Sequence, residues 1–380
     1  MATARVSPDG KSAEIWASTQ GPTIAQIVSA KVLKTSPANV TVYPQFLGGG
    51  FGRRAQPDFV VDAVLLSKIM GGGTPVKVIY SREDDLAAGR MRPMTAHRID
   101  VGLDKDGNIV GWKHRVVGES PIAYTNPARL KKSGGKDETI TEGAATFYDV
   151  GAFEFDYVRQ DRGINLGFWR SVGTGYTKFA VEQMIDEVAA SLDRDPLDYR
   201  LELLANDPRG QAVLKKAAEM ADWPGKPDGD RAFGIGFSDD WNTRIGEVVE
   251  ISLNRETGEI RVHNVWVAVD PGVVVQRDAT IAQAEGGTIF GVSAALKEKI
   301  TIKDGAVQES NFYDYILLRQ SETPKVTVEL MESVDTPGGM GEVAVPPIAP
   351  AIANAVYALT GKRVRQLPML PERVLAALKA

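Results

Sequence analysis

The chain contains no cysteine and only three histidines, His97, His114 and His263, in 380 residues. The first absence removes disulfides, zinc–thiolate sites, a cysteine nucleophile and cysteine-held iron–sulfur clusters from this chain. Redox chemistry would therefore need an imported cofactor, with electrons leaving through another protein. The histidines are scattered, which argues against a His-rich metal cage. A basic arm or stripe is also missing. Net charge is −5, and Arg53-Arg54 and Lys131-Lys132 are only short pairs, so nucleic acid is not an expected partner. The start, Met1 to Val6, has no apolar core and no twin arginine, so no export signal is visible. The longest uncharged stretch runs over 343–361 but holds Pro346, Pro347, Pro350 and Asn354. Those residues favour a buried helix over a membrane span.

What is present is ordinary soluble composition, 43% hydrophobic and 24% charged, with no feature that selects cytoplasm or periplasm. The length suits one large or two packed domains, burying about three quarters of the unfolded surface. Strand-forming runs fall at 14–19, 40–47, 76–80, 98–103, 109–117, 247–253, 259–270 and 325–332. Turn residues at 104–107 and 255–258 mark two hairpins. Helical periodicity appears over 58–70, 179–192, 196–205, 211–221, 279–297 and 350–360. On the helix at 179–192, Phe179, Ile185, Val188, Ala189 and Leu192 are expected to face the core, and Glu182, Asp186 and Glu187 to face water. The turn-rich stretch 223–230 is the best linker candidate, giving expected halves of 1–225 and 226–380. The fold class read from this order is α+β with mixed sheets and packed helices.

Three segments carry chemistry. Gly48-Gly49-Gly50-Phe51-Gly52 directly follows a strand; glycines there permit positive φ and let a ligand approach the backbone, and successive amides can cradle an anion. The dinucleotide fingerprint fails, because Arg53 stands at its last required glycine, and the Walker pattern fails as well. Arg170 lies in the loop Gly167 to Gly173 before a helix, suited to bidentate contact with phosphate or an oxo group. Glu342 follows Gly338, Gly339 and Gly341 and precedes a helix, a setting fit for a general base. Alone, these are a tight turn, a surface ion pair and a solvated glutamate.

Taken in order, they resemble the molybdenum hydroxylases of the xanthine oxidase and aldehyde oxidase family. The run Glu14 to Gln20, the glycine loop, Trp169-Arg170 and Gly341-Glu342 follow the family's sequence of motifs. The run from Phe179 to Ala189, Asp195-Pro196 with Arg200-Leu201, and the ending from Pro350 to Pro368 are similar to the isoquinoline 1-oxidoreductase and aldehyde dehydrogenase branch. The likeness runs from about residue 3 to 374. It implies a molybdopterin-binding fold of the aldehyde/xanthine oxidase type, with Glu342 as the catalytic glutamate. Gln20, Gly49, Gly50, Phe51, Gly52, Arg170, Gln283 and Gly341 match cofactor-side positions. No protein ligand to the metal is implied, since the family's pterin dithiolene holds it.

The resemblance further implies a hydroxylase subunit that inserts water-derived oxygen at an electrophilic carbon of an N-heterocycle or aldehyde. The cofactor would be molybdenum–molybdopterin, as the cytosine dinucleotide in bacterial relatives. Electrons would pass to [2Fe-2S] clusters on a small partner subunit. Ala55 stands where xanthine oxidase carries a glutamate, so purine specificity is not implied. Val343-Ala344 replaces the branch's usual Pro-Gly. Relatives also carry several hundred upstream residues, including a Gly-Gln-Gly segment absent here, so another chain or a missing segment is expected to supply the N-terminal half. The alternative reading is a noncatalytic assembly or scaffold subunit of such a complex, which would be under no requirement to keep Gln20, Gly50, Arg170 and Glu342.

Overall fold

The structure, a computed structural model, describes residues 1–225 and 231–379. Residues 226–230 of the linker candidate lie outside the described residues. The order of elements bears out an α+β chain, and each of the three larger sheets mixes parallel with antiparallel pairs. Strands β1 (Ala2–Val6), β2 (Ala13–Ala17), β3 (Val40–Pro44) and β4 (Val76–Val78) form a sheet in the order β3-β2-β1-β4. Here β2 and β3 run parallel while β1 pairs antiparallel with both β2 and β4. Helices Pro22–Leu33 and Asp58–Ile69 close one face, burying Ala25, Leu33, Phe59 and Val64 with Ala4 and Ile15.

The hairpin expected at 104–107 joins β5 (Thr95–Leu103) to β6 (Ile109–Gly118), and β7 (Ala152–Arg159) adds parallel to β6. The third sheet contains β8 (Arg231–Ser238), β9 (Arg244–Leu253) and β10 (Ile260–Asp270). After a short hairpin of β11 (Ile302–Lys303) and β12 (Ala306–Val307), β13 (Lys325–Leu330) completes it in the order β13-β10-β9-β8. Strand β9 is buried along nearly its whole length because successive side chains enter different cores. Val249, Ile251, Val265 and Val267 pack with helices Arg277–Leu296 and Ile348–Thr360. Val248, Ala268, Ile235 and Phe237 pack with helices Thr174–Ser191, Pro196–Leu203 and Pro208–Ala221. A strand covered on both faces loses alternation and becomes continuously apolar.

Several elements depart from expectation. Strand β3 stops at Pro44, so residues 45–47 already belong to the glycine loop. The helix read from residue 179 starts at Thr174. Its acids do not face water: Glu182 is fully buried and Asp186 is 6% exposed. Arg200 Nε donates to Glu182 Oε2 at 3.0 Å, and Arg363 Nη1 to Asp186 Oδ2 at 2.6 Å. Neighbouring segments supplied the cations, so the helix is buried on more than one side, and only Glu187 remains at the surface beside Arg365. Strands β1, β7 and β8 and helix Pro22–Leu33 had no sequence expectation. The helix exposes Ile24 and Ile27, so its apolar residues mark no inward stripe. Gly234 and Gly236 interrupt β8, where Cβ atoms would strike the carbonyls of Ala351 and Pro347.

The uncharged stretch at 343–361 does form a helix, Ile348–Thr360, buried from Ile348 to Val356. No helix among the described residues is long and apolar enough to cross a membrane.

Candidate active site

The candidate residues lie in five segments far apart in sequence, and contacts link all five. Gln20 follows β2, and its side-chain Oε1 accepts a hydrogen bond from Gly52 N–H at 3.1 Å. Gly50 packs directly on that glutamine: a Cβ at Gly50 would overlap its carboxamide. Gly49 and Gly52 adopt φ of +118° and +90°, and Phe51 itself sits in the left-handed region at +49°. A Cβ on Gly52 would strike the Phe168 carbonyl and lie 3.0 Å from Trp169 N. Glycine is thus required at Gly52 both by conformation and by close approach of the second loop.

That second loop presents Arg170, whose side chain is largely buried. Its Nε donates to the Gly341 carbonyl at 2.6 Å, and its Nη2 to Gln283 Oε1 at 3.0 Å. A planar guanidinium reaches two segments at once here, which an ammonium would not reproduce. Burial lowers the Arg170 pKa below its ordinary value, and the nearby negative charge of Glu342 opposes this. Next along the chain, Ser171 N–H donates to Glu342 Oε1 at 2.9 Å. Ser171 and Val172 hold φ of +83° and +44°, an uncommon backbone for a hydroxyl-bearing and a β-branched residue.

An aromatic wall backs this cluster. Phe51 stacks on Phe290 at 5.3 Å, and Trp169 lies 4.7 Å from the same ring. The Arg92 guanidinium also lies over the Trp169 ring, 4.4 Å from its centroid. Sequence reasoning missed Phe290, although Gln283, Gly287 and Phe290 stand at i, i+4 and i+7 on one helix and so share a face. It also missed Ser171, which acts through its backbone N–H and so gives no side-chain signal. Ala344, one of the two departures from the branch pattern, packs against Gly287, where an added Cβ would stand 2.9 Å from the Ala344 methyl.

The rim of the cluster is open. Gln20, Phe51, Gln283 and Gly341 are exposed and Glu342 is half-buried. A glycine loop, a two-point arginine and a carboxylate thus meet on one rim. The chain belongs to the molybdopterin cofactor-binding domain family, whose first domain matches residues 1–204 and whose second matches residues 231–324. It is 38% identical over 364 residues to the isoquinoline 1-oxidoreductase subunit beta of Brevundimonas diminuta, covering 95% of this chain and 46% of that protein. It is 31% identical to the membrane-bound aldehyde dehydrogenase (pyrroloquinoline-quinone) of Gluconacetobacter polyoxogenes, covering 96% of this chain and 50% of that one. The chain thus spans about half the length of these curated relatives. The fold matches that of quinoline 2-oxidoreductase from Pseudomonas putida 86, with a TM-score of 0.85, 14% identity, and coverage of 100% of this chain and 74% of that chain.

The residues fit the family's cofactor. At Gly48 and Gly341 nothing lies within 4 Å of an added Cβ, so the backbone on this rim is open to a ligand's approach. A chain without cysteine is compatible with a metal whose sulfur ligands come from the pterin itself.

Proposed function

We propose that this chain forms part of the active site of a molybdenum-dependent hydroxylase, with Glu342 as general base. The observation that carries the reading is the single contact network joining Gln20, Gly50 to Gly52, Arg170, Gln283, Gly341 and Glu342 on one open rim. When bound, the molybdenum–molybdopterin cofactor supplies the two-electron acceptor for oxidation of an electrophilic carbon.

The chain's own residues do the rest. Glu342 accepts the proton of the water-derived nucleophile, held in place at one oxygen by Ser171 N–H. Gln20, Gly49, Gly50, Phe51 and Gly52 offer carboxamide, backbone and ring to the pterin side. Arg170, joined to Gln283 and Gly341, fixes the spacing between the cofactor rim and the base. Such fixed dipoles act without reorganising during reaction.

The substrate class is an N-heterocycle or an aldehyde. The pterin is taken as the cytosine dinucleotide form, following the resemblance to bacterial relatives. Electrons pass to [2Fe-2S] clusters on a small partner subunit, a reading supported by the absence of cysteine here and by the "subunit beta" in the relative's name. Remaining cofactor contacts come from polypeptide outside these residues, in keeping with coverage of 46% and 50% of the relatives. Within the chain, 1–225 and 226–380 are read as two cofactor-binding halves, supported by family matches ending at 204 and beginning at 231.

The test is coexpression with the polypeptides that complete the complex, followed by metal analysis and assay with a dye acceptor. Stoichiometric molybdenum is expected. Glu342→Gln should keep the metal and lose about 10²–10⁴-fold in rate. A molybdenum-loaded Glu342→Gln complex with near-normal turnover would remove Glu342 from the role.

A further inference from the structure

Arg92 stands beside the site with no partner for its charge. Its segment is tied to the second loop by two main-chain bonds, from Met91 N–H to the Asn165 carbonyl at 2.7 Å and from Gly167 N–H to the Met91 carbonyl at 3.1 Å. The half-buried guanidinium lies over Trp169 and makes no hydrogen bond or ion pair among the described residues. Burial lowers its pKa, opposed by the negative charge of Glu298, whose carboxylate accepts a hydrogen bond from Tyr315 OH at 3.0 Å instead. Arginine does not shed its proton in proteins. A cation withdrawn from water in this way calls for an anion from elsewhere.

Unused donors gather near the same spot. A Cβ built on Gly175 would overlap Ser171 Oγ and lie 3.9 Å from Arg92 Nη1, so the hydroxyl and the guanidinium flank one glycine. Ser171 Oγ and Tyr176 OH are buried with no hydrogen-bond partner among the described residues. Burial raises the Tyr176 pKa while the Arg92 charge pulls the other way, so the phenol keeps its proton. Two hydroxyls and a guanidinium, all unpaired, are a donor set suited to an oxyanion. The link to the proposed base is direct, because the N–H of the same Ser171 holds Glu342.

We propose that Arg92 and the Ser171 hydroxyl form a carboxylate subsite, so that the favoured substrate is an aromatic acid, an N-heterocycle or aldehyde carrying a carboxylate away from its reacting carbon. The inference rests on the reading of this rim as a hydroxylase active site, whose substrate class it narrows. The carboxylate accepts two hydrogen bonds from the Arg92 fork and one from Ser171 Oγ, a planar pairing that an ammonium does not reproduce. The substrate ring lies beside the wall of Phe51, Phe290 and Trp169, where Phe51 is 47% exposed. Its reacting carbon, at the other end of a flat and rigid molecule, is directed towards Glu342.

Two other anions would also answer this cation, a phosphate of the cofactor and a carboxylate of the completing polypeptide. The double use of Ser171 favours the substrate. Its amide is bonded to the base, and its hydroxyl shares the Gly175 position with Arg92. The two ends of one residue thus address the two ends of one small acid.

Two measurements on the assembled complex test this. In the first, equilibrium dialysis compares benzoate, used as an unreactive probe, with benzamide. Benzoate is expected to bind about 10-fold or more tightly, Arg92→Met to abolish the difference, and Arg92→Lys to retain part of it. Equal binding of the two probes overturns the subsite, whether or not the complex hydroxylates anything. In the second, kcat/KM with a dye acceptor is compared for 4-carboxybenzaldehyde against benzaldehyde and for quinoline-6-carboxylate against quinoline. The acid of at least one pair is expected to be preferred, and Arg92→Met should cut that preference about 10–100-fold, through KM more than kcat. A parallel fall for both members of a pair marks Arg92 as structural and overturns the proposal. So does loss of molybdenum in Arg92→Met, which assigns the cation to a cofactor phosphate. Failure of both Arg92→Met and Arg92→Lys to assemble overturns it too, and assigns the cation to the completing polypeptide. Oxidation of the neutral substrates with no preference for the acids sinks the subsite and leaves the proposed function standing.

Discussion

Ser171 N–H and Glu342 Oε1 meet at 2.9 Å across 171 residues of sequence. The donor belongs to a backbone that neither Ser171 nor Val172 adopts comfortably, with φ of +83° and +44°. Strained residues of this kind cost about 1–3 kcal/mol each and persist only where the surroundings impose them. Here the strain aims an amide at a carboxylate.

Relieving that strain should separate stability from activity. Val172→Gly removes the β-branched side chain from the left-handed region, and the gain exceeds the entropy that glycine adds to the unfolded chain. Stability is expected to rise by about 1 kcal/mol, while turnover falls as the Ser171 amide loses its fixed direction. Thermal unfolding and steady-state kinetics on the same preparation check this. A variant with higher stability and full activity would detach the turn from the positioning of Glu342.

Gly52→Ala attacks the junction of the two loops. The added methyl strikes the Phe168 carbonyl, and a φ of +90° is strained for alanine in any case. Destabilisation by about 1–3 kcal/mol is expected, together with loss of molybdenum from the assembled complex. Metal content and the unfolding midpoint measure the two separately. Gly71→Ala serves as control, since it carries the same φ of +90° with nothing within 4 Å of its Cβ; it should pay the strain and keep the metal.

His97 and His114 share a hydrogen bond at 3.0 Å inside the β5–β6 sheet. Burial, with His114 beside it, takes His97 down to about 3, and burial takes His114 down to about 4. Both folded values lie below the unfolded value of about 6.5. Below pH 6.5 the unfolded chain therefore binds protons that the folded chain refuses. Their stabilising contribution is complete above pH 6.5 and is lost as pH falls through 4 and 3. His114→Phe should flatten the acid limb, removing up to about 1.4 kcal/mol per pH unit of slope between pH 6.5 and 4. Denaturant unfolding at a series of pH values reads this directly, and an unchanged slope would contradict it.

The sequence made the site more legible than the fold around it. Arg170 and Glu342 stood out because each lies in a glycine-bounded loop before a helix, whereas Gln20 was read only through the resemblance to the molybdenum hydroxylases. Their partners were harder to read. Ser171 contributes a main-chain N–H, which every residue but proline has. Phe290 looks like any core aromatic unless the face shared with Gln283 is counted from the helix period. The helix Thr174–Ser191 misled for a different reason. Glu182 and Asp186 carry the signature of a wetted face, and partners from other segments, Arg200, Arg363 and the Phe237 N–H, take them inside. Strand β8 was hidden by Gly234 and Gly236, which weaken strand propensity locally and are explained only by the helix laid across them. Local pattern records backbone needs well, whereas burial of charge is settled by distant neighbours.

Segments around residues 20, 51, 170, 283 and 342 touch one rim yet are separated by long intervals of chain. A ligand gripping all of them would act as a clasp on those intervals, because unfolding would have to surrender every hold at once. Ligand that binds only the folded form adds stability as RT ln(1 + [L]/Kd), about 4 kcal/mol at a thousandfold excess over Kd. Loading with cofactor would then serve as a checkpoint on folding, and chains that fail to load would be the ones most open to proteolysis.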